Sequence, residues 1–253
     1  MFRRVQLNGS CAISGNSMKN TALLAAAALL ALSSGNALAH SSHPAIAHRG
    51  FAKSHPIAPP NKHEVTLYDQ NGNDAGVSAV SDDFDSANDA YDSQGADDFT
   101  VPSLHMWIVK QVNVTGTYFN GAGPADGVTV YFYRDNAGSP GDLVQEVEGS
   151  EFTDTSGSFA IKLDDAVALK AGTYWLSVQT KTNLSGGAGE WAWEANAVQS
   201  GSPAAWQNPN GGFGACPTWG TAQSCTGAGP DFMFALIGSD KLKKKDVSGT
   251  SGD

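Results

Sequence analysis

Apolar and polar residues alternate along most of the chain between residues 65 and 238, with the two-residue period of a half-buried β-strand. The clearest runs are MWIVKQVNVTG, GVTVYFYRD, SFAIKL, GTYWLSVQT, EWAWEAN and DFMFALIG. Each run is rich in β-branched or aromatic residues and is bounded by glycine, proline, asparagine or aspartate, as short strands are. The pattern predicts about nine or ten strands in an all-β fold, a single β-sandwich of jelly-roll type.

The alternation stops on both sides of this region, which places the predicted domain at residues 64–239. Residues 40–63 are rich in proline, serine and histidine without a period, and we interpret them as a disordered linker. Residues 240–253 are predicted to form a disordered polar tail without a membrane anchor. The chain is therefore expected to hold one folded domain.

The first 39 residues have the organisation of a secretory signal. Lys19 precedes an apolar run from Ala22 to Leu32, and Ala37-Leu38-Ala39 supplies the small residues of a cleavage site. Met18 is the more natural start of such a signal. The apolar run is too short to span a bilayer. We therefore expect export to the medium or the periplasm, with no membrane span after cleavage.

Charge and cysteine content narrow the choice of partners and compartment. The chain has 25 acidic and 15 basic residues and a net charge of −10, which disfavours nucleic acid and anionic membranes as partners. Cys216 and Cys225 remain once a leader containing Cys11 is removed, and two cysteines of an exported chain usually pair. We predict a disulfide that holds a small surface loop. No histidine lies nearby, so a zinc site is not expected.

Four tryptophans lie close together in the C-terminal part: Trp191, Trp193, Trp206 and Trp219. The first two are two residues apart on a predicted strand, so their side chains share a face. Gln207 and Asn208 follow the third, and amides beside aromatic rings suit sugar hydroxyls. One hypothesis is a carbohydrate-binding platform made of these six residues. The other is a set of core anchors, because tryptophans bury large areas.

Another tryptophan, Trp175, lies within GTYWLSVQT. Tyr174 and Leu176 share one face of this predicted strand and have the character of core residues. Trp175 shares the opposite face with Ser177 and Gln179. A tryptophan beside small polar groups indicates a groove, or a face that a loop covers.

Seven aspartates occur in the segment SDDFDSANDAYDSQGADDFT. Carboxylates at this density repel one another unless they are solvated or bridged by a cation. Calcium is therefore a candidate cofactor, and a solvated acidic loop is the alternative. The candidate ligands are Asp82, Asp83, Asp85, Asp97 and Asp98. The preceding DQNGND matches the opening of an EF-hand loop, but Asp74 replaces the required glycine and Val80 the closing glutamate, so that interpretation fails.

The sequence lacks the G-x-S-x-G and H-E-x-x-H motifs of hydrolases. His105 is the one histidine of the predicted domain, and it is a weak candidate for a general base. Glu190 and Glu194 would lie about 13 Å apart along a strand and would not converge as a glycosidase pair must. We therefore predict a non-catalytic protein, and a hydrolase with a dispersed site is the least favoured alternative.

A family resemblance adds to these observations. Its motifs, in order, are ADDFTVPSLHMWIVKQVNVTGTYFNG, VTVYFYRDNAGSPGDLV, ALKAGTYWLSVQ, AAWQNPNGGFG and PDFMFALIG. Over residues 77–238 the chain resembles a β-sandwich module of secreted and cell-surface bacterial proteins, found alone, ahead of surface-anchoring tails or appended to extracellular hydrolases. The resemblance implies a jelly-roll-like, non-catalytic domain that binds carbohydrate or cell-surface material. It supplies no site residues.

These observations predict a secreted protein whose partner is a glycan or another cell-surface polymer. A structural, matrix or adhesion protein that acts by self-association or protein contacts is the alternative. The two differ in what they bind, because one recognises a sugar and the other recognises protein.

Overall fold

A computed structural model describes residues 64–242 of the 253-residue chain. The predicted leader, the predicted linker and all but the first residues of the predicted tail lie outside this range. The strands are β1 (Val65–Asp69), β2 (Asp74–Val80), β3 (Asp82–Phe84), β4 (Gln94–Val114), β5 (Gly116–Phe119), β6 (Gly127–Asp135), β7 (Pro140–Glu148), β8 (Glu151–Thr155), β9 (Ser158–Thr182), β10 (Glu190–Asn196), β11 (Ala205–Gln207), β12 (Gly220–Thr221), β13 (Asp231–Phe232) and β14 (Phe234–Leu242). A 3₁₀ turn (Asp89–Tyr91) and the short helix α1 (Ala222–Thr226) complete the described elements.

The strands form two sheets. The larger sheet runs in the order β1-β14-β4-β9-β6-β7, with β11 and β12 continuing from β4, and with β3 and β8 beside β9. The smaller sheet has β10 at its centre, flanked by β2 on one edge and by β5 and β13 on the other. The pairing is antiparallel apart from β3 with β9. The predicted all-β fold is confirmed.

The two longest strands of the larger sheet are β4 and β9. The alternation in the sequence predicts only parts of each. SFAIKL and GTYWLSVQT belong to the single strand β9, and MWIVKQVNVTG is only the second half of β4. The two strands pair along most of their length, with irregularities after Val101 and Val109. The acidic pair Asp164 and Asp165 within β9 resembles a turn in sequence, but both residues are exposed on a strand that continues past them.

The main core lies between the two sheets. Alternate residues of β4, β6, β9 and β14 point into it, and β10 contributes its aromatic residues from the other side. Phe99 of β4 shows how closely this interior is packed, because its ring lies 6.2 Å from that of Trp107 and 6.4 Å from that of Phe132. Burying these rings removes a large apolar area from water, which is the main stabilising contribution to such a fold.

Candidate functional site

Three of the four tryptophans predicted to form a platform belong to the core. Trp191, Trp193 and Trp206 are each 0% exposed. The ring of Trp191 lies 5.2 Å from that of Phe159, across the interior on β9, and the ring of Trp193 lies 4.9 Å from that of Phe232. Rings enclosed in this way cannot stack on a sugar. The structure therefore corrects the platform hypothesis for these three residues.

The polar ends of these tryptophans are also satisfied inside the protein. The indole N–H of Trp191 donates to the carbonyl of Gly157 at 2.6 Å, and that of Trp206 donates to the carbonyl of Val80 at 2.7 Å. A Cβ placed on Gly116 would lie 2.4 Å from the indole nitrogen of Trp191, so a glycine is required beside that ring. Trp191 is thus fixed by a hydrogen bond and by the shape of its surroundings.

Asn208, another predicted ligand-binding residue, is a buried loop anchor. Its side-chain amide donates to the carbonyls of Ala90 and Asp92, at 2.9 and 2.7 Å, and its oxygen accepts from the backbone N–H of Phe213. All of its main hydrogen-bonding capacity is used within the protein. Asn208 is therefore corrected from ligand contact to structural support for the loop that follows β11.

Trp219 and Gln207, the remaining two, lie on the outer surface of the larger sheet, away from the main core. There they join tyrosines and glutamines from β4, β6 and β9. We call this surface the aromatic face, and its members are Gln94, Tyr131, Tyr133, Gln179, Gln207 and Trp219. The three aromatic residues are half-buried, as are Gln179 and Gln207, so parts of the rings and amides reach solvent.

Strand alternation places these side chains together. In GVTVYFYRD, Val130 and Phe132 enter the core, so Tyr131 and Tyr133 point outward and stack with their ring centroids 6.1 Å apart. Gln94 of β4 is paired with Gln207 of β11. The aromatic face therefore crosses strands that are distant in sequence but adjacent in the sheet.

A chain of hydrogen bonds fixes the amides against the rings. The amide of Gln207 donates to the side-chain oxygen of Gln94 at 3.0 Å, and the amide of Gln94 donates to the hydroxyl of Tyr133 at 2.9 Å. On the far side, the hydroxyl of Tyr131 donates to the side-chain oxygen of Gln179 at 3.2 Å. These contacts orient the polar groups before any ligand arrives, which reduces the entropy lost on binding.

The disulfide loop brings Trp219 to this surface. Cys216 and Cys225 are bonded, which confirms the predicted pair. The loop places the Trp219 ring edge-on to Tyr133, with centroids 6.0 Å apart and planes at 72°. Trp219 and Tyr133 pack over Ala96, Trp175 and Ala205, which form a small second apolar cluster.

This second cluster confirms that Trp175 lies on a face covered by a loop. The residue is fully buried on the face opposite Leu176, under the loop that bears Trp219. Its indole N–H donates to the carboxylate of Asp135 at 2.9 Å. Trp219 is therefore the outermost tryptophan of this surface, and Trp175 lies buried beneath it.

The electrostatics keep the two tyrosine hydroxyls neutral. Burial raises the pKa of Tyr131 above its usual value, and the nearby charge of Glu146 raises it further. Burial likewise raises the pKa of Tyr133, against the hydrogen bond from Gln94. The charge of Asp83, from the acidic segment, also raises the pKa of Tyr131, and burial raises the pKa of Asp83 itself while Lys181 opposes the rise. The aromatic face therefore offers neutral donors and acceptors beside a few carboxylates.

The remaining predicted calcium ligands point in different directions. Asp82 is buried, accepts from the hydroxyl of Thr180 and from the backbone N–H of Trp191, and has a pKa raised by that burial. Asp85 binds the backbone and hydroxyl of Ser185, and these bonds lower its pKa. Each of these carboxylates anchors a different segment.

The side chains of Asp97 and Asp98 point in opposite directions, because neighbouring residues of a strand face opposite sides of the sheet. Asp97 accepts from Gln70 and from the backbone N–H of Phe232, each at 2.6 Å, and Asp98 accepts from the backbone N–H of Ser202 at 3.0 Å. Within residues 64–242 no three His, Cys, Asp or Glu side chains form a group suited to a metal ion. The structure therefore corrects the predicted ligand set of Asp82, Asp83, Asp85, Asp97 and Asp98, and calcium stays a prediction.

His105, Glu190 and Glu194 differ in burial and in their partners. His105 contacts the carboxylate of Asp240 at 2.7 Å on the surface. Glu194 is 0% exposed, whereas Glu190 is half-buried. In the part of the chain that the structure describes, no helix has the length and apolar character needed to cross a membrane.

Comparison with solved structures gives a distant likeness of fold. No family model and no curated protein matches the chain. The chain is similar, with a TM-score of 0.46 and 10% sequence identity, to the crystal structure of the cysteine protease and lectin-like domains of Cwp84, a surface layer associated protein of Clostridium difficile. The similarity covers 74% of this chain and 38% of that chain. The function of the present chain is therefore inferred from its own residues.

Proposed function

We propose that this chain is a secreted, non-catalytic binding protein that holds carbohydrate of a cell-surface polymer on its aromatic face. One observation carries the proposal: three half-buried aromatic rings lie beside the amides of Gln94 and Gln207 on one surface of the larger sheet. A sugar ring has an apolar face, which stacks on aromatic rings, and a rim of hydroxyls, which amides bind. Both kinds of partner are present together here.

The shape of the aromatic face favours a chain of sugars over a single small ligand. From Gln207 to Tyr131 the surface crosses β11, β4, β9 and β6, three strand spacings or about 14 Å. Five of its six members lie on strands of the sheet, and Trp219 comes from the disulfide loop. An extended ligand lying across these strands would contact several of the rings and amides in turn.

Secretion is supported by the signal-like residues 18–39 and by the disulfide between Cys216 and Cys225. Disulfides persist in oxidising compartments outside the cytosol. An exported protein with a glycan-binding surface meets cell-wall or other extracellular polysaccharides directly. This compartment therefore agrees with the ligand class that the aromatic face favours.

The test is retention of the purified full chain on insoluble polysaccharides and bacterial cell-wall preparations. We expect Trp219→Ala and Tyr131→Ala to weaken binding roughly tenfold or more, since aromatic anchors often contribute 2 kcal/mol or more at a binding surface. Leu104→Ala is the matched control, because Leu104 is 52% exposed on an interrupted part of β4. The control variant should bind like the wild type.

Two results would contradict the proposal. One is retention that is unchanged in both aromatic variants, provided that their far-ultraviolet circular dichroism and thermal unfolding show a native fold. The other is an absence of retention on every polymer, together with sedimentation that shows assembly at rising protein concentration. The second result would favour the self-associating matrix protein instead.

A further inference from the structure

The side-chain carboxylate of Glu194, on β10, is buried without a hydrogen-bond partner. The residue is 0% exposed, and neither oxygen of its carboxylate has a partner. Its backbone is fully paired, because its N–H donates to the carbonyl of Thr115 and its carbonyl accepts from the N–H of Met233. Buried carboxylates are costly unless they are paired or bound to a metal ion, so an orphaned one indicates a missing partner.

The surroundings of Glu194 are rich in oxygen atoms. Asp74, at the start of β2, pairs with Asn196, which is two residues beyond Glu194 and on the same face of β10, and one Asp74 oxygen accepts from the N–H of Gly76. Thr115, which pairs with the backbone of Glu194, donates through its hydroxyl to the side-chain oxygen of Asn71 at 3.1 Å. Asn71 and Asp74 belong to DQNGND, the segment that joins β1 to β2.

The ion pairs formed among the described residues involve neither Glu194 nor Asp74. Burial, together with the charge of Asp74, raises the pKa of Glu194 to about 8. Among residues 64–242 this place therefore holds two carboxyl groups and neutral oxygens, and no basic side chain is ion-paired with either carboxyl group.

We propose that Glu194, Asp74 and the amide oxygen of Asn71 bind one calcium ion, which joins the DQNGND loop to β10. All of these donors are hard oxygens, and calcium takes six to eight such ligands in flexible geometry with water completing the shell. Magnesium is smaller and demands regular octahedral coordination. The ion would partner both orphaned oxygens of Glu194 and would fix the turn between β1 and β2.

This site differs from the calcium ligands predicted from the acidic segment. Glu194 is more than one hundred residues from Asp74, and only the pairing of β2 with β10 brings them together. It is also independent of the aromatic face, because none of its members belongs to that surface. Failure of carbohydrate binding would therefore leave this proposal unaffected.

The experiment uses the full chain, first dialysed against chelator at neutral pH. We expect excess calcium to raise Tm by roughly 5–10 °C at a hundredfold excess over Kd. Calorimetric titration should give one calcium ion per chain. Glu194→Gln should lose both the Tm shift and the binding heat. Glu151→Gln is the matched control, since the Glu151 side chain is exposed and distant in sequence, and it should respond like the wild type.

Three results would overturn the proposal. The first is a wild type that shows neither a Tm shift nor bound calcium. The second is a Glu194→Gln variant that retains the full calcium response, and the third is equal stabilisation by magnesium at the same concentration. If Glu194→Gln does not fold, Asp74→Asn replaces it, because Asp74 is exposed and is expected to tolerate the change. That variant should weaken calcium binding at least tenfold, and unchanged affinity would also overturn the proposal.

Discussion

Replacing Asp231 by asparagine should stabilise the protein at neutral pH and should leave its stability almost unchanged at acidic pH. Asp231 is 0% exposed, and one of its carboxylate oxygens has no hydrogen-bond partner, while the other accepts from the N–H of Ser200. Asp97 and Asp98 lie close enough for their charges to interact with it. Asparagine keeps the acceptor for Ser200 and removes one of three neighbouring negative charges.

The size of the effect follows from the proton affinity of this group. Burial, with the charge of Asp98, raises the pKa of Asp231 to about 6 from an ordinary value of 3.8. Between these pH values the unfolded state releases the proton and the folded state keeps it, so the free energy of unfolding falls as pH rises. Each unit of pKa difference corresponds to about 1.36 kcal/mol. Above about pH 6 the free energy of unfolding is therefore lower by an amount on the order of 3 kcal/mol.

The variant does not ionise and should not suffer this loss. The difference in free energy of unfolding between the variant and the wild type should be near zero at about pH 4. At about pH 7 the variant should be more stable by about 3 kcal/mol. Urea unfolding in buffers without divalent cations, followed by the fluorescence of the buried tryptophans, measures both curves. Asp164→Asn, at an exposed position of β9, is the control. A stability difference between variant and wild type that stays constant across this pH range would refute the reasoning.

Two further predictions concern the core and the disulfide loop. Trp191→Phe removes the donor to the buried Gly157 carbonyl and leaves a small void, so it should cost about 2–4 kcal/mol in urea unfolding. A loss below about 0.5 kcal/mol would contradict the burial of this ring. Replacing Cys216 and Cys225 by serine should cost roughly 3 kcal/mol and should also weaken retention on carbohydrate, because their loop carries Trp219. Retention that is unaffected in a folded variant would show that the loop plays no part in binding.

Local pattern was sufficient for the strands and for the disulfide. Alternation in GVTVYFYRD and EWAWEAN reflects the pleat of a strand, a property of a few consecutive residues, and both runs are strands β6 and β10. The presence of two cysteines outside the predicted leader predicts the bond between Cys216 and Cys225, and the structure confirms it. Composition around Trp175 also indicated a tryptophan covered by a loop, as the structure has it.

The aromatic face was only partly accessible to sequence reasoning. The cluster of tryptophans and amides near the C-terminus predicts Trp219 and Gln207, but it does not include Tyr131 and Tyr133. A signal for the tyrosines exists, since they alternate with Val130 and hence share the outer face of β6. Nothing local, however, shows that β6 and β11 contribute to the same surface.

The sequence by itself determined which side chains share a face of each strand. Only the tertiary structure decided which of those faces is covered. Trp191 and Trp193 share a face by alternation, and that face became core because β10 packs its aromatic side against Phe159 and Phe232. Alternation has a period of two residues, whereas strand pairing joins segments far apart in the chain. Which face meets another sheet is therefore set by long-range packing that no local pattern encodes.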